Sequence, residues 1–149
     1  MKSEQQGWTD EARLILYHSQ STSARTLFLR HESGSVIAPE PLPFLSTVFE
    51  EGEFIVGAGV LLHPATVVHN YCVTFGFPPS LLVVEGEFHE RVDTPQGTLN
   101  IYLARFTSID PPRALFADRG GKFCAITELR GGHPAEMALL RRAYQAIMG

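Results

Sequence analysis

The chain has 149 residues, 44% of them hydrophobic, and a formal charge of −4 from 12 Lys and Arg against 16 Asp and Glu. That length and composition exclude a disordered chain and favour one globular domain over 1–149 with a sizeable core. The charge is scattered and forms no basic stripe, which argues against nucleic acid as a partner.

Cys72 and Cys124 are the two cysteines, too few for a disulfide scaffold. Residues 1–7, Met-Lys-Ser-Glu-Gln-Gln-Gly, read as a loose polar terminus without the apolar core of a leader. The longest apolar stretch, Phe54 to Leu62, is too short to span a bilayer as a helix. A cytoplasmic protein with no membrane partner is the plain reading.

In chain order, Leu14–Tyr17 and Thr26–Leu29 flank a polar loop and predict a first hairpin. Pro39, Pro41 and Pro43 favour extended backbone before each ring. Leu45, Val48 and Phe49 share helical spacing, so a short helix is expected there, stopped by Gly52. Phe54–Leu62 contains Gly57-Ala58-Gly59, which invites a nucleotide-loop reading. The third small residue of that fingerprint is replaced by Leu62, Pro64 sits badly for the following helix, and no Gly-Lys-Ser/Thr ending is present. A buried strand is the better reading.

His63–Gly76 fits a helix or a strand. Pro64 suits a first helical turn and Gly76 a helix end before Pro78-Pro79, so the boundaries favour a helix. The strongest signal in the chain follows. Leu81–Val92 and Thr98–Phe106 are rich in strand formers and flank Asp93-Thr94-Pro95-Gln96-Gly97. Pairing Val92 with Thr98 places Val84, Phe88, Val92, Tyr102 and Phe106 on one face. The other face then mixes Glu85, Glu87, His89 and Arg91 with Leu99, Ile101, Leu103 and Arg105. A slip of one residue would exchange the faces. Arg113–Ala117 and Lys122–Thr127 flank Asp118–Gly121 and predict a second hairpin. After Gly131-Gly132, Pro134 opens the clearest helix, with Met137, Leu140, Tyr144 and Ile147 along one face.

These elements predict an α+β domain: an antiparallel sheet of consecutive hairpins with the C-terminal helix packed on one face. The half-apolar face with Leu99, Ile101 and Leu103 then needs a cover, and a homodimer contact is expected there.

Candidate chemistry gathers in 63–89. His69 and Cys72 stand at i, i+3 on the predicted helix, and imidazole with thiolate would suit zinc or a nucleophilic pair. No tight ligand motif supports a metal, so neither metal nor cofactor is expected. The favoured site has His89 as proton carrier and Glu87 as its orienting or accepting carboxylate, both on one strand face. His63, His69, Tyr102 and Arg105 would bind the ligand, with Arg105 suited to an anion. Lacking a compact catalytic motif, the chain reads first as a non-catalytic small-ligand-binding or protein-assembly module. The alternative is a small hydrolase or lyase, possibly metal-assisted, using the His/Glu cluster.

Overall fold

The computed structural model describes residues 8–20, 25–50 and 62–149. The nucleotide-loop candidate at Gly57–Gly59, the stop at Gly52 and the loose terminus 1–7 lie outside these residues.

β1 (Ala12–Gln20) and β2 (Arg25–Arg30) form the expected first hairpin pair, with Tyr17 opposite Phe28. β3 (Ile37–Ala38) adds to β1, and β4 (Thr47–Val48) pairs with β6 (Glu90–Thr94). β5 (Leu82–Val84) and β6 both pair with the long β7 (Gly97–Phe106). β8 (Lys122–Cys124) closes the other edge against β2. The sheet order is β4-β6-β7-β1-β2-β8.

The sheet is mixed, which corrects the expectation of antiparallel pairing throughout. β1 runs parallel to β7, with Leu14 beside Tyr102 and Leu16 beside Ala104. A parallel pair cannot be joined by a hairpin and needs a long crossover. Here more than 70 residues separate the two strands, so local turn chemistry carries no sign of it.

Both central strands are buried on both faces. Leu14, Leu16, Tyr102, Ala104 and Phe106 point into one core layer; Ile15, Tyr17, Leu99, Ile101 and Leu103 point into the other. Helix α1 (Pro64–Phe75) covers the first layer with Val67, Val68, Tyr71 and Cys72. The short α2 (Arg113–Ala117) adds Phe116 to it. Helix α3 (Pro134–Met148) covers the second with Ala135, Leu139, Leu140 and Ala143. The C-terminal helix thus packs on one face as expected, and α1 covers the other. Leu99, Ile101 and Leu103, the residues expected at a homodimer contact, are 5%, 0% and 1% exposed; they are core beneath α3.

Three local expectations are also corrected. Phe44 and Leu45 are 86% and 71% exposed, and β4 replaces the helix expected over 45–49. Arg113–Ala117 is helix α2, not a strand, because Pro111-Pro112 precede good helix formers and leave no ladder to join. The 93–97 turn is tighter than expected: Thr94 pairs with Gly97 around a two-residue loop, and Val92 faces Leu99. That one-residue shift moves Val92 onto the α3 side.

Both long helices begin the same way. His63-Pro64-Ala65 opens α1 and His133-Pro134-Ala135 opens α3, each histidine Nδ1 accepting the N–H two residues on at 3.1 Å. A ring nitrogen thus fills the capping role usual for Ser or Asp, satisfying an amide the helix leaves free. At the other end of α1, Gly76 takes φ +74°, a left-handed conformation suited to glycine. Glu136 in the first turn of α3 is buried and accepts from the Val36 N–H at 2.6 Å and the Ser35 hydroxyl at 2.9 Å. Those bonds tie α3 to the segment before β3. Among the described residues, no helix is long and apolar enough to cross a membrane.

Leu140, 2% exposed under the sheet, should cost about 2–5 kcal/mol when cut to alanine. Denaturant unfolding measures this; a loss well under 1 kcal/mol would mean that α3 is not docked on this face.

Candidate functional site

The residues singled out in the sequence fall on two sides of the sheet. The cause is the segment between β5 and β6. Val84 faces Ala104 and Glu90 faces Ile101, so six steps on one side match three on the other. The Glu85 N–H still donates to the Leu103 carbonyl at 2.8 Å, but residues 86–89 leave the ladder, and the alternation expected to put Glu87 and His89 on one face is broken.

On the α3 side, Glu87 lines a cleft of about 720 Å³ with Tyr17, Glu85, Glu90 and Arg142. Tyr17, Glu85, Glu90 and Arg142 are engaged in polar contacts. The Tyr17 hydroxyl donates to Glu85 Oε1 at 2.5 Å, and Arg105 lies 3.7 Å from the same oxygen. Burial, then the bond to Glu85, pushes the Tyr17 phenol far above its usual range. Arg142 is paired with Glu90. Arg105, expected to hold an anion, is thus partnered by a carboxylate and stands on the opposite face from His89.

On the α1 side, three polar residues converge. His89 Nε2 lies 2.8 Å from Asn100 Oδ1. Asn100 is 6% exposed, and its Nδ2 donates to the Glu11 carbonyl at 3.2 Å. The His89 ring packs against Tyr102, centroid to centroid 4.9 Å. The Tyr102 hydroxyl reaches the Leu62 carbonyl at 3.4 Å, at the entry to α1. Burial raises the Tyr102 phenol, and the Arg91 charge opposes that shift. Arg91 sits directly across the ladder from Asn100, and directly opposed residues share a face. Its guanidinium forms no ion pair among the described residues.

The bonding fixes the chemistry of the ring. Asn100 uses its NH₂ group on a carbonyl, so it presents only its oxygen to His89. Nε2 of His89 must then carry the proton, and Nδ1 is left with its lone pair. An oriented imidazole with a free basic nitrogen, a buried amide behind it and a guanidinium alongside is an arrangement for proton transfer next to an anionic group.

The structure thus brings His89 and Tyr102 together and places His63 at the same end of α1, where its Nδ1 is occupied as a cap. His69 is exposed along the helix. Cys72 is fully buried in the core and burial raises its thiol, so neither the thiolate pair nor a zinc ligand set with His69 forms. No group of three or more His, Cys, Asp or Glu stands together to hold a metal among the described residues. Sequence reasoning missed Asn100 and Arg91. The shift in register hid Asn100: the expected pairing set it on the opposite face from His89 and Arg91, whereas the observed pairing sets it directly across from Arg91.

No known family's sequence pattern matches the chain, and no curated protein is similar to it in sequence. Among solved structures, the fold is similar to that in the crystal structure of C. elegans Ap4A hydrolase. The two share 14% identity and a TM-score of 0.51 over 93% of this chain and 96% of that one. At that identity the likeness is one of fold. It runs against the expectation of a non-catalytic binding or assembly module, because this arrangement of sheet and helices is one that a hydrolase uses.

Asn100→Ala should cost about 1–3 kcal/mol, the range for stranding buried polar partners. It should also release the His89 tautomer. Nitrogen-15 NMR of the imidazoles is expected to show an Nε2–H form in the native protein and a mixture in the variant. A ring already protonated on Nδ1 in the native protein would contradict the arrangement.

Proposed function

We propose that the protein is a hydrolase in which His89 is the catalytic base. The observation that carries this reading is the 2.8 Å contact of His89 Nε2 with Asn100 Oδ1, an asparagine itself anchored to the backbone at Glu11. A surface histidine needs no such second anchor. The fold likeness to an Ap4A hydrolase supports the reaction class, and the guanidinium of Arg91 supports an anionic substrate.

The substrate class proposed is a phosphoric anhydride, the linkage found in Ap4A. Nδ1 of His89 takes a proton from water as the water oxygen bonds to phosphorus. The bridging oxygen leaves with the bond's electron pair and becomes a phosphate oxygen. Arg91 offsets the negative charge that builds on the phosphoryl group, a role a guanidinium performs through paired N–H donors. Tyr102 supports the imidazole from its face, and its hydroxyl, kept protonated by burial, remains a donor. Fold analogy is separate from function; the His89–Asn100 geometry supports this mechanism on the chain's own residues.

The test is hydrolysis of Ap4A and simpler anhydrides by the purified protein. His89→Ala should lower kcat by about 10²–10⁴-fold, the usual span for a general base, with the melting temperature preserved. Arg91→Ala should lower kcat and kcat/KM together, because its charge acts on the transition state. Absence of hydrolysis in the native protein, or full activity in His89→Ala, would refute the proposal.

A further inference from the structure

A second cavity, of about 250 Å³, lies at the far end of α1 from His89, between that helix and the turn that follows α2. Phe77 and Phe116 form its apolar body, with ring centroids 5.1 Å apart. Tyr71 packs on Phe75 at 4.8 Å. Pro39 and Pro41 supply rigid walls opposite. The turn comes in close because Gly120 and Gly121 have no side chains. A Cβ on Gly120, at φ +74°, would lie 2.7 Å from the Glu32 Cβ, and one on Gly121 would lie 2.8 Å from the Phe116 Cβ.

Two polar features set this cavity apart from an ordinary aromatic core. The Arg119 guanidinium stands 4.9 Å from the Phe77 centroid and 6.0 Å from that of Phe75. Its Nη2 donates to the Phe75 carbonyl at 3.2 Å. These contacts fix its plane, yet it pairs with no carboxylate among the described residues, leaving N–H donors and full charge at the mouth. Inside, His31 Nε2 is buried without a hydrogen-bond partner. Burial lowers the His31 pKa from 6.5 to about 4, so the ring is neutral and offers an uncharged polar edge. Unsatisfied buried groups of this kind are uncommon and point to a missing partner.

We propose that this pocket binds a planar heteroaromatic ring carrying an anionic group, as in a purine nucleoside monophosphate. The ring lies against the Phe75 and Phe77 side of the cavity and hydrogen-bonds His31 through a ring heteroatom. The anion meets the Arg119 guanidinium at the mouth. The volume admits one such ring and no larger drug-sized body. Aromatic walls favour any flat π-face, the guanidinium selects for negative charge, and the neutral imidazole selects a heteroatom over a plain hydrocarbon edge. The pocket stands on its own residues and does not depend on catalysis at His89.

Calorimetry and NMR titration of the full chain with AMP, adenosine and ribose 5-phosphate test this. AMP should bind and shift the His31 and Phe75 resonances, with adenosine and ribose 5-phosphate each weaker by roughly tenfold or more, the loss of one good contact. Arg119→Ala should reduce AMP to the adenosine level. Phe75→Leu, which keeps apolar bulk but removes the ring, should weaken AMP similarly, and His89→Ala should leave binding intact. Amide spectra of each variant confirm that it is folded. No AMP binding at millimolar concentration, equal binding of AMP and ribose 5-phosphate, or binding unchanged by both Arg119→Ala and Phe75→Leu would overturn the proposal.

Discussion

The parallel pairing of β1 with β7 is the constraint on which the rest of the structure depends. It joins the N-terminal strands to the β5–β7 ladder and creates a sheet centre that is apolar above and below. Leu14 and Tyr102 must be covered on one side, Ile15 and Leu103 on the other. Burial at about 25 cal/mol per Å² of apolar surface makes two covering layers the stable solution. Helix α1 and helix α3 are those layers. Their placement then decides which polar residues are isolated from each other and which meet.

The irregular segment 86–89 follows from the same centre. β7 is long enough to serve two partners, β5 at one end and β6 at the other. The excess residues between those partners are expelled from the ladder, sending Phe88 into the α3 layer and His89 to the α1 side. The mismatch thus delivers an imidazole to the buried amide of Asn100. Strand bulges often re-aim a side chain in this way next to a site. On the α3 side Glu85 and Glu90 are paired with Arg105 and Arg142, whereas among the described residues Arg91 and Arg119 on the α1 side have no carboxylate partner.

Much of the fold was legible where the signals were local. Pro64 and Gly76 delimited α1 despite five β-branched residues within it, because terminal chemistry and an apolar face outweigh weak propensity. Pro134 and the apolar stripe behind it marked α3 in the same way. The 93–97 turn was visible, but its type was not; a two-residue loop and a five-residue loop differ by one step of register, and one step exchanges faces. His89 and Tyr102 were nominated together, while Glu87 and Arg105 were assigned to the same pocket by an alternation that the bulge interrupts. The β1–β7 pairing was out of reach because parallel partners distant in sequence leave no mark in either strand's own pattern. His63 illustrates a further limit: it reads as a ligand-binding group, and here it caps a helix, as His133 does.

The central claim is that His89, oriented by Asn100, moves the proton in an anhydride hydrolysis. Chemical rescue addresses the base itself, separately from folding or binding. Free imidazole added to His89→Ala should restore hydrolysis in a saturable manner, while leaving the native enzyme's rate unchanged. A variant that imidazole cannot rescue, though it folds and binds substrate as the native protein does, would contradict the role assigned to His89.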